Sequence, residues 1–183
     1  MSLLRKLFGG QTMAALTVGT KSPDFTLKTT DGKEFSLSGE LAHGPIMLAF
    51  FKVSCPTCQY AFPFLERLHK AYGVVSGTPT LPVRLVGVSQ NNHRDTAAFT
   101  KQFGVTFPVL LDELDSYPVS NAYGLTNVPT LFWIAGDGEI EVSSVGWVKK
   151  DFEEINRKMA EHGETPLATV FQRGEDVRDF RAG

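Results

Sequence analysis

Both cysteines of the 183-residue chain lie three positions apart, as Cys55 and Cys58, with Pro56 and Thr57 between them. They follow the apolar run 45–53, which reads PIMLAFFKV and is typical of a strand that is covered on both faces. The apolar residues after them have helical spacing. The first cysteine is therefore predicted at a helix N-terminus, where unpaired backbone N–H groups and the helix dipole favour a thiolate, the nucleophilic form of sulfur.

The second cysteine falls one helical turn later and faces inward, within bonding reach of the first. This spacing predicts a redox pair, in which Cys55 attacks a disulfide and Cys58 resolves the mixed disulfide. Pro56 suits the first turn of a helix, and the Thr57 hydroxyl can donate to a sulfur. Lys52 would favour a thiolate if its side chain turned toward the site, and an exposed lysine is the alternative interpretation.

Two other uses of a cysteine pair are a structural disulfide and a metal site. A disulfide that closes so short a loop would stabilise the fold little. A structural zinc ion needs four ligands, and the four histidines are scattered singly along the chain, at His43, His69, His93 and His162. We therefore expect neither a metal nor a cofactor. A copper- or zinc-handling binder that uses the two thiolates remains the alternative that is not an enzyme.

The composition is typical of a soluble globular protein, with 42% hydrophobic residues and a net charge of −2. No block of lysine and arginine suggests nucleic acid as a partner. No apolar run approaches the ~20 residues of a membrane span, and the first residues lack the continuous apolar stretch of a signal peptide. The sequence as given therefore predicts a cytoplasmic protein, or an extracytoplasmic one if an export signal has been removed.

The pattern along the chain predicts the element order βββαβαβαββα. Two Asp-Gly pairs, Asp31-Gly32 and Asp137-Gly138, each lie between apolar alternations and predict β-hairpins. Such an order requires a mixed central sheet that is flanked by helices, the α/β class. We divide the chain into an N-terminal arm (1–17), one domain (18–163) and a charged, loosely docked C-terminal tail (164–183). Further predictions are a loop over 76–82, helices over 94–104 and 149–163, a helix kink at Pro63, and a short helix over 116–124 that Pro118 interrupts. The first hairpin lies within 22–38 and has Phe35 and Leu37 as its second apolar pair.

From about residue 18 to 162 the chain resembles the thioredoxin superfamily, and in particular the redoxin, AhpC/TSA-like and TlpA/ResA-like thiol–disulfide oxidoreductases. The resemblance rests on the cysteine motif together with the sequence NVPT at 127–130, and on the pieces SPDFTLKTTDGKEFSLS, GPIMLAFFKVSCPTC and AYGLTNVPTLFWIAGDGEI. It implies a thioredoxin-like fold with an N-terminal hairpin. It also implies a cis peptide bond between Val128 and Pro129, beside which an extended substrate peptide pairs as an added strand.

By the same resemblance, the partners are protein or small-molecule disulfides and dithiols, with an upstream thiol reductant that the sequence does not name. The chain departs from the family pattern at three positions, which are Ser54 where Trp is common, Ala49 where thioredoxins have Asp, and Ala61 where ResA-like proteins have Glu. The last two remove a carboxylate that would take the proton of the inner thiol. Glu66 and Asp112 are the other candidate proton acceptors.

The alternative enzyme is a thiol peroxidase of the peroxiredoxin type, because peroxiredoxins share the fold and the opening SPDFTL. Their motif requires Pro and Thr or Ser at fixed positions before the reactive cysteine. Leu48 and Lys52 occupy those positions here. The pattern therefore favours disulfide exchange over peroxide reduction.

Overall fold

A computed structural model describes residues 14–73 and 84–183. Within these ranges the chain forms nine β-strands, in two sheets, and five α-helices. The strands are β1 (Thr26–Thr29), β2 (Glu34–Ser36), β3 (Ile46–Phe51), β4 (Arg84–Ser89), β5 (Val109–Leu111), β6 (Thr130–Ile134), β7 (Ile140–Val145), β8 (Trp147–Val148) and β9 (Phe180–Arg181). The helices are α1 (Leu37–Leu41), α2 (Pro56–Tyr72), α3 (His93–Phe103), α4 (Pro118–Ala122) and α5 (Lys149–His162).

The large sheet has the strand order β2-β1-β5-β4-β3-β6-β7. Strand β3 runs parallel to β4 and antiparallel to β6, so the sheet is mixed, as predicted. All six residues of β3 are buried, which explains why its sequence is a continuous apolar run rather than an alternation. Alternate side chains of β3 enter the apolar clusters on the two opposite faces of the sheet.

Both predicted hairpins are present. Strands β1 and β2 pair with Leu27 opposite Phe35, and β6 pairs with β7 around the second Asp-Gly turn. Gly32 and Gly138 have φ values of 84° and 86°. These tight turns require that left-handed backbone, which glycine adopts without steric cost.

Helix α2 has the buried stripe that the sequence predicts, formed by Cys58, Ala61, Phe62, Leu65, Leu68 and Tyr72. Pro63 lies on the exposed side of this helix, which continues past it. The kink expected there stays a prediction. Helix α3 ends at a left-handed Gly104, and α5 buries Phe152, Ile155 and Met159, both as predicted.

Two local predictions were wrong. Leu37, which the pattern places in the first hairpin, begins helix α1 instead, because the Ser36 side chain accepts the N–H of Gly39 and caps that helix. Pro118 does not interrupt α4 but begins it. The first residue of a helix has no partner for its N–H within the helix, so a proline is tolerated there. The predicted loop over 76–82 lies outside the described residues, as does the arm up to residue 13.

The C-terminal tail makes more contacts than its weakly patterned sequence indicates. Val170 is 3% exposed and belongs to the same apolar cluster as helix α2. Arg67 forms a bidentate ion pair with Glu175, whose two carboxylate oxygens lie 2.7 and 2.8 Å from the guanidinium nitrogens. Farther along, β9 pairs antiparallel with β8 to form the second sheet. The boundaries of the arm, the domain and the tail stay predictions.

Candidate active site

The outer cysteine, Cys55, is the N-cap of helix α2. Its backbone is extended, and its Sγ accepts the backbone N–H of Cys58 at 3.2 Å. The Cys55 thiol in turn donates to the carbonyl oxygen of Val128, at 3.1 Å. Pro56 occupies the first helical position and is exposed to solvent. The donated N–H stabilises negative charge on the sulfur, and the carbonyl orients the protonated form.

The inner cysteine, Cys58, is fully buried in the apolar cluster under helix α2. Ala61 and Phe62 follow it on the same helix face, at i+3 and i+4, and both are buried. Burial raises the pKa of the Cys58 thiol above its ordinary value of 9.0, and a hydrogen bond with the Cys55 sulfur raises it further. Cys58 is therefore a neutral thiol at neutral pH. Both cysteines are free, so the structure is that of the dithiol form.

The peptide bond between Val128 and Pro129 is cis, as the resemblance predicted. Hydrogen bonds on both sides of this peptide bond fix the loop that contains it. Thr130 donates its hydroxyl to the carbonyl of Asn127 at 2.7 Å, and the N–H of Gly146 donates to the carbonyl of Pro129, also at 2.7 Å. These bonds fix the Val128 carbonyl beside the Cys55 sulfur. The structure therefore brings together the four predicted residues Cys55, Cys58, Val128 and Pro129.

The sequence suggested that the Thr57 hydroxyl donates to a sulfur, and the structure shows otherwise. This hydroxyl donates instead to the carbonyl of Ala182 in the C-terminal tail, at 2.5 Å, and only 4% of the residue is exposed. Asn127 also contacts the tail, since its side-chain amide donates to the main-chain oxygen of Gly183 at 3.3 Å. No local pattern around 178–183 signals these contacts, because they join positions that are far apart in sequence.

Lys52 contacts an aromatic ring. Its Nζ lies 5.4 Å from the ring centre of Tyr117, in a cation–π arrangement, and the residue is half-buried rather than exposed. Its carbonyl accepts the backbone N–H of Cys55 at 3.1 Å, which forms the turn between β3 and α2. The structure thus assigns Lys52 a role in shaping this turn, and gives its charge an aromatic partner.

Neither candidate carboxylate is directed at Cys58. Glu66 lies eight residues along α2, which is about 12 Å of helix rise, and it accepts the N–H and the hydroxyl of Thr106. Asp112 accepts the backbone N–H groups of Val119 and Ser120 at the start of α4. Both carboxylates therefore have structural partners of their own.

Each cysteine belongs to a separate small site. The outer cysteine site comprises Cys55, Thr57, Asn127 and Val128, and the inner cysteine site comprises Cys58, Ala61 and Phe62. Within residues 14–73 and 84–183, no three His, Cys, Asp or Glu side chains group as a metal site would require. Among the helices of the same ranges, none has the length and apolar character needed to cross a bilayer.

A dithiol at the start of a helix, beside a cis-proline loop on a mixed sheet, defines a thioredoxin-like protein. The AhpC/TSA family model matches residues 18–143, and the chain belongs to this family. Thiol-disulfide oxidoreductase ResA of Geobacillus thermodenitrificans is 32% identical over 137 residues, which cover 75% of this chain and 74% of that protein. ResA of Bacillus subtilis is 26% identical over 165 residues, or 90% of this chain and 86% of that protein.

The fold agrees with solved structures. The crystal structure of the thioredoxin domain of a thiol-disulfide oxidoreductase from Bacteroides vulgatus superposes with a TM-score of 0.66 at 18% identity. The match covers 79% of this chain and 98% of that domain. At this identity the likeness establishes the thioredoxin-like fold alone.

Proposed function

We propose that the protein is a thiol–disulfide oxidoreductase that uses Cys55 and Cys58 as its redox pair. The observation that carries the proposal is the contact of the Cys55 sulfur with the Cys58 N–H on one side and the Val128 carbonyl on the other. The sulfur is half-exposed and lies where a substrate main chain would meet the cis-proline loop. Family membership and the names of the ResA relatives support the same activity.

In the first step, the Cys55 thiolate attacks one sulfur of a substrate disulfide. A mixed disulfide forms between Cys55 and the substrate, and the second substrate sulfur leaves as a thiolate and takes up a proton. The Cys58 N–H that contacts the Cys55 sulfur stabilises the attacking anion. Because Cys55 is the half-exposed sulfur and Cys58 is buried, we assign the attack to Cys55.

In the second step, Cys58 loses its proton and attacks the Cys55 sulfur. The Cys55–Cys58 disulfide forms, and the other substrate sulfur leaves as a thiolate that is then protonated. Overall the substrate disulfide gains two electrons and two protons, and the two cysteines lose them. Cys58 is buried, and Ala61 rather than a carboxylate follows it one helical turn later, so its deprotonation is the demanding part of this step.

The substrates are disulfides and dithiols, and the same steps in reverse oxidise a dithiol. An external thiol reductant must return the cysteines to the dithiol form after each reduction. The cytoplasmic location inferred from the sequence stays a prediction.

A trapping experiment tests the proposal. Cys58→Ser removes the resolving thiol, so attack of Cys55 on the disulfides of intact insulin should accumulate a mixed disulfide between Cys55 and an insulin chain, visible on non-reducing gels. Cys55→Ser is the matched control and should form no such adduct. A wild-type protein that fails to reduce insulin disulfides, together with no adduct in Cys58→Ser, would overturn the proposal.

A further inference from the structure

The last described residues of the chain lie across the outer cysteine site. In strand β9, Arg181 pairs with Trp147 and Phe180 pairs with Val148. The main chains come close together, because a Cβ placed on Gly146 would lie 2.7 Å from the Arg181 carbonyl oxygen. The edge of β8 is thus paired with a segment that leads directly to the cysteines.

The two residues after β9 contact the site itself. Ala182 accepts the Thr57 hydroxyl, and Gly183 accepts the Asn127 side-chain amide. A Cβ placed on Gly183 would lie 2.5 Å from the Val128 carbonyl oxygen, so only a residue without a side chain fits there in this arrangement. Small residues therefore occupy the space between the start of helix α2 and the cis-proline loop.

The Val128 carbonyl links this segment to the nucleophile. The same oxygen that lies against Gly183 accepts the Cys55 thiol at 3.1 Å. An extended polypeptide that paired with the cis-proline loop would need the position that Gly183 now occupies. Thr57, in the middle of the cysteine motif, is almost completely covered in the same way.

We propose that residues 180–183 occupy the groove through which an extended polypeptide substrate reaches Cys55, and that they must leave before disulfide exchange. This inference rests on the proposed function and concerns access to its nucleophile. A substrate segment that replaces residues 180–183 needs small residues beside its disulfide cysteine, because a Cβ at the position of Gly183 would lie 2.5 Å from the Val128 carbonyl oxygen. This substrate segment pairs with the free edge of β8 in place of β9, a case of strand addition.

The hydrogen bonds that hold the tail lie before residues 180–183, so a substrate can replace this segment while the rest of the tail stays bound. The carbonyl of Arg178 accepts the Trp147 indole N–H at 2.6 Å, and the carbonyl of Asp179 accepts the Lys149 N–H at 2.9 Å. These bonds precede the covering segment and can persist while it detaches. Phe180 is 63% exposed, so its side chain contributes little apolar burial that would hold β9 in place.

The test compares the full chain with a deletion of residues 180–183, which retains the bonds of Arg178 and Asp179. The reduced proteins are treated with a bulky maleimide, and the rate of modification at Cys55 is followed by mass spectrometry. Because the segment lies across the approach to a half-buried Cys55, it should hinder a bulky reagent, and the deletion should raise this rate about tenfold or more. Leu167→Ser changes an exposed tail residue outside the segment and should leave the rate unchanged. Equal rates for the full chain and the deletion, within about twofold, would overturn the proposal.

A second variant covers the case in which the deletion does not fold. Gly183→Val keeps the full length but places a side chain against the Val128 carbonyl, so it should also raise the modification rate. A synthetic peptide with the sequence of residues 178–183 should slow the reaction of the variant again. If Gly183→Val retains the wild-type circular dichroism and the wild-type rate, the proposal fails.

Alkylation of Cys55 does not require catalytic turnover, so its rate tests the covering role of residues 180–183 independently of the proposed activity. Insulin reduction is measured on the same samples. If both proteins are inert toward insulin, the proposed activity fails, and the alkylation rates still decide whether the segment covers Cys55. If both reduce insulin and are alkylated at equal rates, the activity stands and the covering role is wrong.

Discussion

The outer and inner cysteine sites lie one helical turn apart, yet they have opposite surroundings. The Cys55 sulfur meets a backbone N–H and a carbonyl, and the residue is half-buried. The Cys58 sulfur is fully buried among apolar side chains. Since the N-cap residue faces outward and the third residue of the helix faces the apolar cluster here, one helix supplies both environments. Position along one helix therefore separates an accessible thiol from one that burial keeps protonated.

The two sites should differ most in what they contribute to stability. Phe62→Ala, in the inner site, removes a ring whose centre lies 4.5 Å from that of Phe51 and 4.9 Å from that of Phe99. We expect it to lower the free energy of unfolding by about 3–5 kcal/mol. Thr57→Val, in the outer site, removes one hydrogen bond to the tail and should cost about 1 kcal/mol. Urea denaturation measures the free energy of unfolding of both variants. Equal losses would contradict the prediction that the inner site contributes more to stability than the outer site.

The sites should also differ in how a carboxylate affects them. Ala61→Glu places an acid one turn from Cys58, where burial raises the pKa of a carboxyl group toward neutrality and makes it an effective base. We expect the Cys58 attack on a Cys55 mixed disulfide to become about tenfold faster, or more, in a single-turnover assay.

Ala61→Gln is the matched control, because it has nearly the same size and cannot accept a proton. It should leave the rate of resolution near that of the wild type. If glutamine accelerates the step as much as glutamate, packing rather than proton transfer limits resolution, and this part of the comparison is wrong.

A smaller effect concerns pH. Because the pKa of Cys58 is raised in the folded protein, the unfolded chain loses this proton first, near its ordinary value of 9.0. Above that pH the folded state holds more protons than the unfolded state, so its stability falls as pH rises. The loss attributable to Cys58 should reach about 1.4 kcal/mol between pH 8 and pH 10.

The measurement is a series of urea denaturations of the reduced protein and of Cys58→Ala. The difference between their stabilities should shrink steadily over this range. The pKa values of Tyr72 and Tyr123 are also raised by burial, but their ordinary value is 10.0 and they are common to both proteins. A constant difference from pH 8 to pH 10 would show that burial does not hold Cys58 protonated.

The parts of the molecule that local sequence predicts are those fixed by short-range rules. The two Asp-Gly hairpins, the buried strand β3 and the apolar stripe of α2 follow from turn chemistry and periodicity. The cysteine pair follows from its spacing at a strand–helix junction. The cis bond before Pro129 followed only from the resemblance, since an X–Pro bond in isolation favours trans.

The covering of the outer site was not predictable from local pattern. Strands β8 and β9 have two residues each, too few to show an alternation, and they pair across more than thirty positions. The contact of Thr57 with Ala182 depends on that pairing. Pro118 was misjudged for a different reason, because the same residue breaks a helix interior and suits a helix start.

Disulfide exchange requires that Cys55 and Cys58 open and close a single disulfide between them. The most direct measurement equilibrates the protein in glutathione buffers of decreasing reducing power and follows the two thiols by mass spectrometry after alkylation. We expect both thiols to disappear together in one two-electron transition, with a peptide-mapped bond between Cys55 and Cys58. A protein that carries glutathione on Cys55 while Cys58 stays reduced, or that keeps both thiols in oxidising buffer, would contradict this mechanism.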